Sequence, residues 1–163
     1  MKIGLISDSH DHLDHLERAV ALFRERGVER IWHAGDIVCP AMVLALRGFD
    51  LRGVFGNNDG EKLGLRRAAE KIGGELSGYF LELPAPCGSG VIALYHGMDA
   101  ACLEALILSG RYRAVVSGHT HRPENRMEGA TLVLNPGTAH GFRQRATVMI
   151  YDDAAWTAAL IDL

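Results

Sequence analysis

The first third of the chain alternates short apolar runs with segments of helical periodicity. Residues 2–7 are an apolar run that polar residues end abruptly, which predicts a buried strand. Apolar residues then recur at helical spacing from Leu13 to Phe23, and Gly27 suits the end of that helix. A strand, a short helix and a further strand are predicted at 28–32, 41–46 and 51–55. This alternation predicts a parallel sheet with helices packed on it.

The rest of the chain favours strands. Residues 61–77 predict a helix, or a helix plus a loop, that carries the basic residues Lys62, Arg66, Arg67 and Lys71. Asp99 suits the cap of a helix that runs through Leu108 and stops at Gly110. Strands are predicted at 79–83, 91–95, 114–117, 131–135, 146–151 and 157–162. A purely doubly wound sheet is therefore not expected.

Length and composition fit one ordinary globular domain, residues 1–163. Hydrophobic residues make up 48% of the chain and charged residues 23%, with a formal net charge of −3. This balance argues against nucleic acid as a partner. Because no signal peptide and no apolar run of the ~18 residues of a membrane span is found, a cytoplasmic protein is expected. Three cysteines with no Cys-x-x-Cys pair, Cys39, Cys87 and Cys102, predict reduced, mostly buried thiols.

Strand after predicted strand ends in residues that can hold a metal ion. The segments are Asp8-Ser9-His10, His33-Ala34-Gly35-Asp36, Gly56-Asn57-Asn58-Asp59, His96-Gly97 and Gly118-His119-Thr120-His121. Ligands of open α/β sheets collect beyond the carboxyl ends of the strands, so these segments are expected to converge. Residues two apart on an extended segment share a side, so Asp8 and His10 can hold one ion. The predicted ligands are Asp8, His10, Asp36, Asn57, His96, His119 and His121.

The mixture of imidazole and carboxylate donors predicts a transition metal. Such donors favour Mn²⁺, Fe²⁺, Zn²⁺ or Ni²⁺ over Ca²⁺, and Mn²⁺ is our first expectation. A carboxylate such as that of Asp36 can bridge two ions, and paired ions clamp a phosphoryl group and acidify a bound water. No Ser or Cys stands in a nucleophile-elbow motif, so a covalent enzyme intermediate is not expected.

The ordered motif set Asp-x-His, Gly-Asp, Gly-Asn-x-Asp, His-Gly and Gly-His-x-His resembles the calcineurin-like metallophosphoesterase superfamily. The segment Asn135-Pro136-Gly137-Thr138 is similar to its small YfcE-like phosphodiesterase branch. The resemblance implies a four-layer α/β/β/α sandwich of two mixed sheets flanked by helices, in-line attack by a hydroxide held between two divalent ions, and a small phosphodiester or phosphomonoester substrate. It also implies that Asp8, His10 and His121 bind one ion, that Asn57, His96 and His119 bind the other, and that Asp36 bridges both. A homodimer is compatible with the resemblance, although no sequence pattern bears on it.

Two positions depart from the family pattern. Many members carry His where this chain has Asn58, and that His contacts phosphate and can protonate the leaving oxygen. Asn58 can donate a hydrogen bond to phosphate but cannot supply a proton near neutral pH. Poor activity is therefore expected on esters with basic leaving groups. Some relatives also have His at the position of Met98, which affects substrate contacts rather than metal binding.

Other polar residues have simpler interpretations. Asp59 is expected to orient the site, His33 to be structural, and His12 and His15 to be solvated, whereas His140 could reach the cleft. Arg66 and Arg67 could meet a substrate phosphate, but charges on a helix are usually only solvated. Trp32, Trp156 and the stretch Leu103–Leu108 are expected to serve packing.

Three functions remain open from the sequence. The favoured one is a metal-dependent phosphoesterase, with a diester preferred to a monoester as substrate. The alternative is a non-catalytic interaction scaffold, since a retromer subunit of the same fold serves mainly in protein interaction. A nuclease is a third hypothesis, against which the acidic net charge stands.

Overall fold

The structure is a computed structural model that describes all residues from Met1 to Leu163. Its eleven strands are β1 Lys2–Ile6, β2 Arg30–His33, β3 Asp50–Gly53, β4 Glu75–Leu76, β5 Phe80–Pro84, β6 Val91–Tyr95, β7 Tyr112–Val116, β8 Glu124–Glu128, β9 Thr131–Asn135, β10 Thr147–Asp152 and β11 Thr157–Asp162. Its four helices are α1 Leu13–Glu25, α2 Pro40–Ala45, α3 Lys62–Lys71 and α4 Ala100–Leu108.

The strands form two mixed sheets. The six-stranded sheet has the order β11-β10-β1-β2-β3-β4, in which β1 to β4 are parallel and β10 and β11 are added antiparallel. The five-stranded sheet has the order β5-β6-β7-β9-β8, with parallel β6, β7 and β9 between antiparallel edges. The parallel strands of both sheets supply the strand ends that build the site.

The layers follow from which faces are apolar. One core lies between α1, α2, α3 and the six-stranded sheet, and it includes Phe23, Ile31 and Leu51. A second core lies between the sheets and includes Leu5 and Val116. A small third core lies under α4, on the outer face of the five-stranded sheet. The predicted α/β/β/α sandwich of two mixed sheets is therefore confirmed.

Local sequence accounts for the helices. The apolar positions of α1 are spaced so that Leu16, Ala19, Val20 and Phe23 all turn inward and are buried. The Asp99 carboxylate accepts a hydrogen bond from the backbone N–H of Cys102 at 3.0 Å and caps α4 as predicted. None of the four helices combines the length and the apolar character that crossing a bilayer requires.

The structure differs from the sequence predictions at a few elements. The strands β4 and β8 were not predicted, since β4 has only two residues and β8 is a polar edge strand with little apolar alternation. The expectation that Leu103–Leu108 is core was wrong for most of α4, of which only Ile107 is buried while Leu108 is 63% exposed. The cysteines are free, but Cys87 and Cys102 are exposed rather than buried.

Candidate metal centre

The predicted ligands lie where strands of both sheets end. Asp8 and His10 follow β1, Asp36 follows β2, and Asn57 follows β3 in the six-stranded sheet. His96 follows β6, and His119 and His121 follow β7, in the five-stranded sheet. The two sheets face each other, so these strand ends open onto a shared edge of the sandwich.

One group of donors consists of Asp8, His10 and His121. Their ligand atoms lie within 4.8 Å of one another. The Asp8 Oδ1 atom lies 3.2 Å from Nε2 of His121. That oxygen is buried and has no hydrogen-bond partner, although buried carboxylate oxygens normally have one. An orphaned carboxylate oxygen between imidazoles is what a cation site requires.

A second group surrounds Asp36 and His96, whose ligand atoms also lie within 4.8 Å of Asp8. The His96 Nε2 atom is 3.5 Å from Asp36 Oδ2 and 3.0 Å from Asn57 Oδ1. The His119 ring lies next to this group, with its centroid 5.1 Å from that of His96. The backbone N–H of His119 donates to Asp8 Oδ2 at 2.9 Å. All seven predicted ligands thus lie in one connected cluster.

Hydrogen bonding orients the His96 ring. Its Nδ1 lies 2.7 Å from the carbonyl oxygen of Ala34, which can only accept, so Nδ1 carries the proton and donates it. In the neutral ring this leaves the lone pair on Nε2, directed at Asp36 and Asn57. A carbonyl behind a histidine is a common way of fixing the tautomer that binds a metal.

The backbone at the ligands is left-handed. Asp8, His10, Asp36, His119 and His121 all have positive φ, between 46° and 66°. The extended segments assumed from the sequence were therefore wrong in geometry, although Asp8 and His10 still direct their ligand atoms to the same place. A non-glycine residue in this conformation costs on the order of 1–3 kcal/mol, and such strain concentrates at functional sites.

Asp59 holds two of these turns together. Its buried carboxylate accepts hydrogen bonds from four backbone N–H groups, those of Asp36, Ile37, Val38 and Gly56, at 2.7 to 3.0 Å. Because these donors belong to the turns after β2 and β3, the carboxylate fixes Asp36 relative to Asn57. This contact pattern supports the predicted orienting role of Asp59.

Two glycines permit the close approach of these turns. A Cβ at Gly35 would lie 2.6 Å from Nδ1 of His96, and one at Gly118 would overlap the side chains of Ser7 and Asp8. Only a residue without a side chain allows the turn after β7 to pass this close to the Asp8 carboxylate.

The electrostatics of the cluster favour positive charge. Burial alone would raise the pKa of Asp36, but the contact with the His96 imidazole and the hydrogen bonds from Asn58 outweigh it and hold that pKa well below its usual range. The nearby Asp8 carboxylate raises the pKa of His121. Burial opposes the charged form of His96, yet Asp36 and the Ala34 carbonyl raise its pKa. A divalent cation would meet the same stabilising potential.

Asn58 lies against the Asp36 carboxylate. Its backbone N–H donates to Asp36 Oδ1 at 2.8 Å and its side-chain amide donates to Oδ2 at 2.7 Å. The side chain is exposed on its other sides. Asn58 therefore stabilises the charged form of Asp36 at the exposed side of the cluster, and the phosphate contact predicted for it stays a prediction.

The remaining histidines fall into two kinds. His33 is fully buried, its Nε2 lies 2.9 Å from the Ser9 hydroxyl, and burial lowers its pKa to about 4, so it is a neutral structural residue as expected. His12 and His15 are half-buried and stacked at 3.8 Å, so the expectation of a solvated face was wrong. His140 reaches the cleft, with its ring centroid 5.5 Å from that of His10. Its contacts with His10 and His12 were not predicted because His140 is far from both in sequence.

A four-layer sandwich with carboxylate, imidazole and amide donors at the ends of its parallel strands is typical of a metal-dependent phosphoesterase. The chain belongs to the calcineurin-like phosphoesterase superfamily, whose domain model matches residues 1–154.

Relatives agree with this family. The chain is 33% identical over 145 residues to phosphodiesterase MJ0936 of Methanocaldococcus jannaschii, which covers 87% of this chain and 86% of that protein. The solved structure of an archaeal phosphodiesterase superposes with a TM-score of 0.93 at 31% identity over 100% of both chains. The Escherichia coli phosphoesterase Yfce gives a TM-score of 0.73 at 20% identity, over 99% and 98% of the two chains.

The fold is also shared with Vps29. Vps29 of Chaetomium thermophilum superposes with a TM-score of 0.73 at 18% identity, over 100% of this chain and 97% of that one. At this identity the likeness shows the fold alone. The donors of the site, rather than the sandwich, must therefore decide between the functions.

Proposed function

We propose that this protein is a metal-dependent phosphodiesterase that uses two divalent ions. The observation that carries the proposal is the buried Oδ1 atom of Asp8, which has no hydrogen-bond partner and lies 3.2 Å from His121 among the grouped donors Asp8, His10, Asp36, His96 and His121. Asp8, His10 and His121 would hold one ion, Asn57, His96 and His119 the other, and Asp36 both. The donor types suit Mn²⁺ first, with Ni²⁺, Fe²⁺ or Zn²⁺ as alternatives.

The ions supply two things when bound: a water acidified enough to act as nucleophile near neutral pH, and positive charge for the phosphoryl oxygens. The residues of the chain hold the donors in place before substrate arrives. Asp59 fixes the turns after β2 and β3, and the Ala34 carbonyl fixes the His96 tautomer. Such preorganisation lowers the cost of assembling a charged transition state.

Asn58 supports a restriction on the leaving group. It is the polar residue that the cleft presents beside Asp36, and its amide donates hydrogen bonds but has no proton to give near neutral pH. Diesters whose leaving group needs little protonation, such as aryl esters, should therefore react best. The name of the relative MJ0936, a phosphodiesterase, also supports a diester as substrate.

The second candidate is an interaction scaffold, which the shared fold of Vps29 allows. A scaffold has no use for five ligand residues held in left-handed backbone, because each costs on the order of 1–3 kcal/mol. The presence of all seven predicted donors thus favours the phosphodiesterase over the scaffold. We propose that it acts on a small substrate in the cytoplasm.

Metal binding and substrate choice test the proposal together. Metal-stripped protein is titrated with Mn²⁺ by calorimetry, and hydrolysis of bis-p-nitrophenyl phosphate and p-nitrophenyl phosphate is compared at each loading. We expect two equivalents of Mn²⁺, a gain in thermal stability and faster hydrolysis of the diester. Absence of Mn²⁺ binding together with unchanged thermal stability would favour the scaffold.

A further inference from the structure

A basic and aromatic groove adjoins the metal cluster. It has a volume of about 330 Å³ and is lined by Phe55, Lys62, Leu63, Arg66, Gly78 and Tyr79. These residues come from the end of β3, the first two turns of α3 and the segment before β5. None of them is among the predicted metal ligands.

The groove lies against the half of the cluster that contains Asn57 and His96. Phe55 precedes Asn57 by two residues, and its N–H donates to the carbonyl of Gly78 at 2.8 Å. The next carbonyl along, that of Tyr79, accepts from the N–H of His96 at 3.3 Å. The backbone that lines the groove is therefore hydrogen-bonded directly beside Asn57 and His96.

The two cations of the groove are held over aromatic rings. The Lys62 ammonium lies 5.1 Å from the ring centroid of Tyr79 and 6.0 Å from that of Phe55, and the Arg66 guanidinium lies 5.6 Å from the Phe55 centroid. Such cation–π contacts place the charged groups without neutralising them.

Neither cation has a carboxylate partner. The ion pairs of the molecule involve Arg30, Arg52, Arg111, Arg113, Arg126 and Arg145, but not Lys62 or Arg66. Arg66 also lines a neighbouring depression with Glu70 and Glu75, but at more than ion-pair distance, so no direct carboxylate contact neutralises Lys62 or Arg66. Lysine and arginine in this arrangement suit a phosphate group.

The groove also offers apolar surface. Leu63 is 59% exposed and Tyr79 is 42% exposed, and both line the groove together with Lys62 and Arg66. An ester group that combines a planar or apolar body with a second phosphate would satisfy both features. An isolated aryl ester would use only the apolar part.

We propose that this groove is a substrate subsite in which Lys62 and Arg66 bind a second phosphate, carried by one ester group of the diester. The inference rests on the proposed phosphodiesterase function and narrows its substrate class to diesters with an additional anionic group. Arg66, for which the sequence left a phosphate contact open, takes that role, whereas Arg67 on the same helix lies outside the groove.

Two matched substrates test the subsite. They are the p-nitrophenyl ester of thymidine 5′-monophosphate and the same compound with a 3′-phosphate. In the Mn²⁺-loaded native protein the 3′-phosphate should raise kcat/KM by about tenfold or more. Lys62→Gln and Arg66→Gln, which keep most of the aliphatic stem, should bring the ratio of the two kcat/KM values to within about twofold. The control Arg67→Gln should leave the ratio unchanged.

A binding measurement separates this inference from the proposed function. Calorimetry with thymidine 3′,5′-bisphosphate should show binding that Lys62→Gln and Arg66→Gln weaken by about tenfold and that Arg67→Gln preserves. If neither ester is hydrolysed, the proposed function fails and this binding result alone decides the subsite. The subsite is overturned if native protein hydrolyses both esters equally, if Arg67→Gln acts like Arg66→Gln, or if inorganic phosphate binds as tightly as the bisphosphate.

Discussion

At the scale of single residues, most polar side-chain atoms of the site have a hydrogen-bond partner. Asp36 receives two bonds from Asn58, His96 is fixed by the Ala34 carbonyl, and Asp59 accepts four backbone donors. The exceptions are two buried atoms without a hydrogen-bond partner, Asp8 Oδ1 and His140 Nδ1. A cation held between Asp8, His10 and His121 would give the Asp8 oxygen a partner.

Asn58→His should restore a proton donor beside Asp36. General acid catalysis contributes about 10²–10⁴-fold, so an alkyl leaving group should gain most and p-nitrophenolate least. The measurement is the dependence of kcat/KM on leaving-group pKa in native protein and variant. A steep dependence in native protein that flattens in Asn58→His is expected. Identical dependences would contradict the role assigned to Asn58.

Asp59→Asn should loosen the turns after β2 and β3. The amide keeps one acceptor but turns an NH₂ group towards backbone donors, which should lower the free energy of unfolding by about 1–3 kcal/mol. Metal affinity should fall by about 10–100-fold, since Asp59 orients Asp36. Urea unfolding and Mn²⁺ titration check both effects against Asp50→Asn, a half-exposed carboxylate outside the site. Unchanged Mn²⁺ affinity would remove Asp59 from the site.

At the scale of elements, periodicity predicted most strands and helices because one face of each packs against a core. The strands Val91–Tyr95, Thr131–Asn135 and Thr157–Asp162 have the bounds that the sequence predicted. β8 was missed because an edge strand of Glu, Asn and Arg has no buried face to impose a pattern. The prediction that α4 is buried was wrong, because an apolar helix can lie at the surface and composition alone does not distinguish it from a core helix.

The predicted ligands converge because the ends of parallel strands meet at one edge, which sequence order alone can indicate. The left-handed turns at Asp8, Asp36 and His119 could not be predicted, since nothing local marks a strained non-glycine residue. The ring contacts of His140 with His10 and His12 and the groove at Lys62 were also beyond the sequence. Both depend on which distant segments are brought together.

Gly118→Ala tests the close packing of the strand ends. The added methyl group would overlap Ser7 and Asp8, so the turn after β7 must move away from the Asp8 carboxylate. Overpacking of this kind costs about 1–3 kcal/mol, and Mn²⁺ binding should weaken with it. Gly60→Ala is the matched control, because a Cβ there meets nothing within 4 Å. Equal stability and equal Mn²⁺ affinity in both variants would disprove the packing argument.

At the scale of the whole molecule, a buried polar network around Asp153 connects distant segments of the chain away from the site. The fully buried Asp153 accepts hydrogen bonds from the Tyr151 hydroxyl at 2.7 Å and from the Cys87 N–H at 2.6 Å, and it pairs with Arg113 at 3.4 Å. Burial alone would raise the pKa of Asp153, but its hydrogen bonds from Cys87 and Tyr151 and the charge of Arg113 lower it.

This network should make stability depend on pH. Because the pKa of Asp153 is lower in the folded than in the unfolded state, its contribution is complete above the unfolded value of about 3.9 and is lost as pH falls through the folded value. Urea unfolding of native protein and Asp153→Asn should differ by about 1–3 kcal/mol at neutral pH. The difference should shrink below about pH 4. A difference that stays constant with pH would contradict this prediction.

The central claim is that the cluster binds the ions that hydrolyse a phosphodiester. Its most direct test is the hydrolysis of bis-p-nitrophenyl phosphate with Mn²⁺ by native protein, Asp36→Asn and His121→Ala, with Asp50→Asn as the control. Both site variants should stay folded and lose at least ~10²-fold in kcat/KM, while Asp50→Asn keeps native activity. Full activity in both Asp36→Asn and His121→Ala would contradict the claim.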